Sequence, residues 1–96
     1  MSVYFIANST IDDQALLDEY VQAAGATTLG LVELTLLAAD LETEHVEGKA
    51  AGNRTVILEF GSEADFRTWY DSPEYQAIVD KRLSATTGFG ILVHGV

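Results

Sequence analysis

The segment from Trp69 to Gln76 constrains the fold of this 96-residue chain more than any other. It holds the only tryptophan, the only proline and two of the four tyrosines of the sequence. Ser72 can accept a hydrogen bond from first-turn amides, and Pro73 has no amide hydrogen to leave unpaired at the first helical position. Glu74 complements the positive end of a helix. The segment therefore predicts that one helix ends here and another begins at Ser72-Pro73.

Apolar, aromatic and β-branched residues predict the strands. They concentrate in four segments, at residues 3–8, 31–39, 54–60 and 89–96. Residues 41–46 alternate in polarity, which predicts an exposed strand continuation or arm, and the glycine-containing stretch 48–53 predicts a turn. The apolar segments carry apolar residues at both odd and even positions, as expected for strands that are covered on both faces.

Helical spacing of apolar residues predicts the helices between these strands. A first helix is expected over residues 13–24 and should end at Gly25, since glycine readily adopts the left-handed conformation at a helix terminus. Ser62 and Asp65 form a near match to the capping box and predict the start of a second helix. Gly88 is expected to end the connection to the last strand.

The predicted element order is β-α-β-β-α-β, which is the ferredoxin-like pattern of an α+β fold. It describes a single domain over residues 1–96, with an antiparallel sheet in the order 4-1-3-2 and helices on one face only. The second helix is broken at Ser72-Pro73. Because 48% of the residues are hydrophobic and a small domain buries little surface alone, the helix-free sheet face needs a cover. We therefore expect a homodimer through that face.

The charge balance restricts the classes of partner. Five basic residues stand against 15 acidic ones, for a net charge of −10, and such a surface disfavours nucleic acid and anionic membranes. The chain has no cysteine, which removes disulfides and thiolate sites, and no apolar stretch approaches the ~20 residues of a membrane span. We expect a cytoplasmic protein without nucleic-acid or membrane partners.

Together with Glu59-Phe60, Ser62 and Arg82, the segment from Trp69 to Gln76 resembles the domain-of-unknown-function 1330 family of small bacterial proteins. The resemblance covers most of the chain and is strongest over residues 54–83. It implies a dimeric α+β barrel built from two ferredoxin-like chains. It does not imply a reaction.

Three polar residues are candidates for catalysis. Strand one is antiparallel to strands three and four, so Tyr4 should lie near the ends of those strands, at Glu59 and His94. A phenol, a carboxylate and an imidazole in one place can transfer protons. In the alternative interpretation, Glu59 accepts hydrogen bonds from a helix start or a dimer contact, and His94 is exposed.

Four other residues are candidates for ligand binding. Asn8 and Trp69 are similar in position to pocket residues of α+β barrels that oxidise aromatic substrates or degrade haem, although Trp69 is the better candidate for a core anchor. Tyr75 and Arg82 share the inward side of the last helix. An inward arginine needs an anionic partner, either an internal carboxylate such as Glu59 or Asp71, which we favour, or a ligand anion.

The sequence leaves two classes of function open. The two histidines, His45 and His94, are far apart and match no metal-ligand spacing, so we expect no metal and no cofactor. One class is a barrel that binds a small organic molecule, including an acid, and carries out cofactor-free proton transfer or oxidation. The alternative is a non-catalytic module for effector binding, dimerisation or interaction.

Overall fold

The computed structural model describes residues 1–28 and 31–96. The strands and helices follow the predicted order β-α-β-β-α-β, with the second helix divided into three segments, and the fold is ferredoxin-like α+β. The elements are β1 (Val3–Ile11), α1 (Gln14–Thr28), β2 (Leu34–Asp40), β3 (Arg54–Phe60), α2 (Glu63–Tyr70), α3 (Pro73–Gln76), α4 (Val79–Ala85) and β4 (Thr86–His94).

The four strands form one antiparallel sheet in the order β2-β3-β1-β4, which confirms the predicted topology. Phe5 lies opposite Leu58 on β3 and Leu92 on β4, and these side chains share the face on which the described helices pack. Tyr4 lies opposite Glu59 and points to the other face, because side chains alternate along a strand. We call that other side the helix-free face.

A β-bulge interrupts the edge strand β2. Leu36 pairs with Leu58 and Ala38 pairs with Ile57, so Leu37 is the extra residue. Beyond the bulge, Ala39 pairs with Val56. The bulge therefore brings Leu36 and Ala39 to the helix-covered face although they are three positions apart.

An aromatic cluster holds α2 and α3 against the sheet. Trp69 is 1% exposed and its ring centroid lies 4.1 Å from that of Tyr75 and 5.4 Å from that of Phe60. Phe66 packs on Phe5 and Phe60 at centroid distances of 5.4 Å. Such tilted and edge-on ring pairs add to the apolar burial that stabilises this half of the core.

The predicted helix starts are confirmed. The hydroxyl of Ser62 accepts a hydrogen bond from the amide of Asp65 at 3.1 Å, and that of Ser72 accepts one from the amide of Tyr75, also at 3.1 Å. Pro73 occupies the first turn of α3. A further break, between α3 and α4 around Ile78, has no side-chain cap and was not predicted.

Two glycine-based predictions are wrong. Helix α1 continues through Gly25 to Thr28, because Gly25 keeps a negative φ and meets no steric demand there. Gly88 lies inside β4, since a Cβ at this position would collide with the backbone of Asn8 and Ser9 on the neighbouring strand. Close strand pairing, rather than a turn, accounts for this glycine.

Several other element bounds differ from the prediction. Strand β1 extends to Ile11, β2 begins at Leu34 rather than at residue 31, and β4 ends at His94. Residues 41–46 form an exposed arm without strand pairing. In the described residues, we find no helix with the length and apolarity that a bilayer crossing requires.

Candidate functional site

A cavity of about 320 Å³ lies between the helix-covered face of the sheet and helices α1, α2 and α4. Its wall on the sheet side is apolar and comes from three strands, with Phe5, Ala7, Leu34, Leu36, Val56 and Leu58. The helices contribute Tyr20, Val21, Trp69 and Arg82. Volumes of this size are typical of sites for small organic molecules.

The cavity exists because the helices do not cover the β2 edge of the sheet. Helix α1 packs mainly on α4, and the bulge turns Leu36 and Ala39 toward the space that is left. The inner end is formed by buried side chains of β1, α2 and α4. At the outer end, Leu36 is 58% exposed and Val21 is 53% exposed, so the cavity opens between α1 and β2.

Two buried arginines line this otherwise apolar space. Arg54 is the first residue of β3 and shares a face with Val56 and Leu58, and Arg82 belongs to α4. Their exposures are 9% and 8%. None of the 15 acidic residues lines the cavity, whereas two of the five basic residues do.

Neither buried arginine has a carboxylate partner in the described residues, where the ion pairs are Glu63–Arg67, Glu19–Lys81 and Glu63–His94. The prediction that Arg82 pairs with Glu59 or Asp71 is therefore wrong. Strand alternation places Glu59 on the opposite sheet face, and Asp71 lies exposed at the end of α2. A buried guanidinium without an anion is unusual, because desolvation of the charge is unfavourable.

Further donors at the inner end lack acceptors. In the part of the chain that the structure describes, Nε of Arg82 and Nε1 of Trp69 are fully buried without a hydrogen-bond partner. The Arg82 guanidinium lies 5.5 Å from the ring centroid of Phe5, where a cation–π contact supports it. Burial lowers the pKa of Arg54; Tyr20 raises it in part and the charge of Arg82 lowers it further. The inner end thus presents positive charge and unused N–H groups.

Two tyrosines form a hydrogen-bonded pair beside the cavity. The hydroxyls of Tyr20 and Tyr75 are 2.6 Å apart, and their rings meet edge-on at 6.2 Å. Burial raises the pKa of Tyr75 well above its usual range, and the neighbouring Tyr20 raises it further. Tyr75 therefore stays protonated at neutral pH, and it contributes packing and a hydrogen bond rather than a base.

The predicted catalytic group is not assembled. Tyr4 and Glu59 are direct partners in the β1–β3 pairing and lie on the helix-free face. His94 pairs with Val3, one position away, and so belongs to the other face. Its Nε2 lies 2.8 Å from Oε1 of Glu63 at the start of α2, and this hydrogen bond lowers the pKa of Glu63. The strand ends meet as expected, but alternation separates the imidazole from the other two groups.

Asn8 does not line the cavity, because its side chain fastens the loop before β3. Its Nδ2 donates to the carbonyl of Gly52 and to the hydroxyl of Thr55, each at 3.0 Å, and its Oδ1 accepts from the amide of Ala51 at 2.7 Å. Trp69, in contrast, is both the core anchor and a cavity wall. The predicted pairing of Asn8 with Trp69 in one pocket is therefore wrong.

Comparison with known sequences identifies the family. The family described as "Domain of unknown function (DUF1330)" matches residues 2–96. The chain belongs to this family. The family resemblance predicted from the segment Trp69–Gln76 is thereby confirmed. No curated protein matches the sequence of this DUF1330 chain.

Solved structures share the fold at low sequence identity. A protein of unknown function from Rhodopseudomonas palustris has a TM-score of 0.81 at 14% identity, over 99% of this chain and 82% of its own. SnoaB, a cofactor-independent oxygenase from Streptomyces nogalater, has a TM-score of 0.67 at 17% identity, over 99% of this chain and 93% of its own. A dimeric ferredoxin-like protein of unknown function from Jannaschia sp. CCS1 has a TM-score of 0.67 at 11% identity, over 99% of this chain and 100% of its own. These likenesses show the fold.

Two residues of the site in this DUF1330 domain were not predicted from the sequence. Arg54 was assigned no role. It is an even-numbered residue of β3, like Val56, Leu58 and Phe60, and the even-numbered residues of this strand face the helices. An arginine among the core-facing residues of a strand was the sequence signal that could have identified it. Tyr20 on α1 was likewise assigned no role. Among the described residues, no three metal-ligating side chains form a group that could hold a metal ion.

Proposed function

We propose that this protein binds a small organic acid in the cavity, with the ligand's carboxylate held by Arg54 and Arg82. The observation that supports this proposal is the pair of buried arginines without a carboxylate partner in the described chain. An arginine fork matches a carboxylate in shape and charge, and the resulting bonds are stronger than neutral ones. The ligand would supply the anion that these arginines lack among the described residues.

The remaining wall defines the rest of the ligand. Apart from the arginines, Tyr20 and Trp69, the cavity is formed by aliphatic side chains, Phe5 and glycine. An inorganic anion would leave this apolar area in contact with water. An acid with a hydrocarbon or aromatic body would cover it, and each methylene so buried contributes about 0.8 kcal/mol. The cavity therefore favours an organic acid over phosphate or sulfate.

The proposal includes a homodimer formed through the helix-free face. Ile91, Ile6 and Ile57 lie side by side across three strands of that face, with Ile91 46% exposed. Phe89 and Val93 on β4 are also exposed. Structural neighbours with the same fold are dimeric. Sheet-to-sheet contact with a second copy would remove this apolar stripe from water.

Titration of the purified protein with benzoate and hexanoate tests the binding site. Trp69 is the only tryptophan and lines the cavity, so its fluorescence reports on occupancy. Benzyl alcohol and hexanol, which lack the charge, should bind much more weakly. Replacing Arg82 or Arg54 by Met should weaken acid binding by about tenfold to a hundredfold, since a hydrogen bond to a charged group contributes about 1.5–3 kcal/mol.

Arg67→Met is the matched control for both arginine variants. Arg67 has a side chain that is 56% exposed and lies on the outer side of α2, 4.0 Å from Glu63. Its replacement removes one positive charge without touching the cavity. If Arg67→Met weakens acid binding as much as Arg82→Met does, or if the alcohols bind as well as the acids, the cavity is not an acid site.

Catalysis is a second candidate, and the direct pairing of Tyr4 with Glu59 favours it. In that case, cofactor-free proton transfer or oxidation would use Glu59 as base, and SnoaB is an oxygenase that works without a cofactor. Glu59 lies on the helix-free face, so the reaction would take place at the dimer contact and not in the cavity. Glu59→Gln keeps the shape and removes the base; a turnover unchanged by it would exclude this role.

A further inference from the structure

The cavity changes in polarity and exposure from its inner to its outer end. At the inner end are the guanidinium of Arg82, the side chain of Arg54 and the indole of Trp69, all in residues that are at most 9% exposed. At the outer end are Val21 and Leu36, both more than half exposed. Charge is thus buried and hydrocarbon is exposed, the reverse of the usual arrangement at a protein surface.

We infer that the ligand is an elongated amphipathic monocarboxylic acid, bound with its carboxylate inward and its apolar tail leading out between Val21 and Leu36. The inference rests on the proposed function, and it adds the orientation and shape of the ligand. The tail covers the exposed side chains of Val21 on α1 and Leu36 on β2 at the rim.

Charge complementarity fixes the orientation. A carboxylate at the rim would lie beside apolar side chains on a molecule of net charge −10 and would leave both arginines without an anion. A carboxylate at the inner end meets Arg54 and Arg82 together with the unpaired N–H groups of Arg82 and Trp69. Since a desolvated ion needs both charge neutralisation and hydrogen bonds, the inner position is the favourable one.

The rim accounts for the elongated shape. Leu36 and Ala39 share the helix-covered face only because of the bulge at Leu37, and they extend the apolar wall outward along β2. A compact acid would fill the inner end and leave Leu36 and Val21 in water. A longer tail gains affinity from each methylene that covers them, until it passes the rim.

The test is a series of straight-chain acids, butanoate, hexanoate, octanoate and decanoate, titrated into the full chain with Trp69 fluorescence and calorimetry as readouts. The expected affinity rises about two- to fourfold per added methylene and then levels off. Primary alcohols of the same lengths serve as uncharged controls. An affinity that is the same for butanoate and decanoate overturns the inference while the proposed acid site stands. If no acid binds at any chain length, the inference and the proposed acid site are both contradicted.

A charge placed at the rim distinguishes the two orientations. With the carboxylate inward, Val21→Asp should weaken decanoate at least tenfold and leave butanoate unchanged, because only the long tail reaches the new carboxylate. Val21→Lys should also weaken decanoate. With the carboxylate outward, Val21→Lys would instead strengthen binding of every acid, and that result overturns the inference.

Val46→Asp is the matched control for the rim variant. Val46 is 86% exposed on the arm at residues 41–46 and does not line the cavity. The Val46→Asp substitution adds the same charge to the molecule as Val21→Asp and should leave all acid affinities unchanged. An equal loss of decanoate affinity in both variants would mean that net charge, and not contact at the rim, is responsible, and this too overturns the inference.

Discussion

Arg82 carries a positive charge into the core of the unliganded molecule. Its Nε has no hydrogen-bond partner in the described structure, and its contact with the Phe5 ring, at 5.5 Å from the centroid, compensates only a part of the desolvation. A residue with this environment is expected to reduce stability in exchange for binding. Functional sites commonly show this conflict.

Arg82→Met should therefore stabilise the unliganded protein, by about 1 kcal/mol, because it removes an unpaired buried donor and keeps most of the side-chain volume. Urea denaturation without ligand measures the change. Arg67→Met, at an exposed position, should stay within about 0.5 kcal/mol of the parent. A clear loss of stability in Arg82→Met would mean that its contact with Phe5 outweighs the desolvation.

Tyr75 makes the stability of the protein sensitive to alkaline pH. Burial and the neighbouring Tyr20 raise its pKa above the value of 10.0 that an unperturbed tyrosine has. Above that value, the unfolded chain releases a proton that the folded chain retains. The contribution of Tyr75 to the free energy of unfolding is therefore complete below pH 10 and is lost as pH rises. Tyr75→Phe should therefore lose less stability than the parent between pH 9 and about 11. Parallel urea titrations compare the two slopes; equal slopes would contradict the prediction.

The junction between α2 and α3 depends on one serine. The hydroxyl of Ser72 accepts from the amide of Tyr75 at 3.1 Å and donates to the carbonyl of Trp69 at 2.7 Å. It therefore links the last turn of α2, which carries the cavity residue Trp69, to the first turn of α3. Pro73 prevents the two from joining into one helix.

Ser72→Ala should lower the free energy of unfolding by about 0.5–2 kcal/mol, with the loss of a cap as the cause. Ser62→Ala is the matched control, since Ser62 caps α2 through one hydrogen bond, to Asp65, at a less buried position. The cost at Ser72 should be the larger one. If the two variants lose the same amount, the bond to the Trp69 carbonyl contributes nothing measurable.

Elements that local chemistry determines were predictable from the sequence. The bounds of β3 and the helix start at Ser72-Pro73 follow from composition and capping, and both are confirmed. Gly88 misled the prediction, because a local glycine preference does not reveal which backbone another strand approaches. Gly25 misled it because glycine permits a positive φ without requiring one. The bulge at Leu37 carries no sequence signal.

The candidate site was less predictable than the fold. Arg82 was correctly predicted to point inward. The positions of Glu59 on the opposite sheet face from Arg82 and of His94 on a different face from Glu59 depend on strand register. A one-residue shift of register exchanges the two faces of a strand, and no local pattern fixes it. The cavity itself results from how α1 sits on the sheet, which is a property of tertiary packing.

At the scale of the whole molecule, the apolar helix-free face should hold two chains together. Ile91→Glu places a charge at the β4 end of its isoleucine row and should shift the protein toward a species with the 10.4 kDa mass of one chain. Sedimentation at micromolar concentration measures the shift. Leu83→Glu, at a position 57% exposed on α4, adds the same charge elsewhere and should leave the dimer intact. A monomeric parent protein would contradict the prediction outright.

The contrast between an acidic exterior and a basic interior has a kinetic consequence. An anionic ligand approaches against the field of a chain with net charge −10, and this repulsion acts over distances that salt screens, about 8 Å at physiological ionic strength. The contacts with Arg54 and Arg82 form inside the protein, where mobile ions have little access. Added salt should thus speed association and leave dissociation nearly unchanged. Affinity for an acid would then rise with ionic strength, opposite to the behaviour of an anion site on a basic surface, and stopped-flow mixing at increasing salt would reveal it.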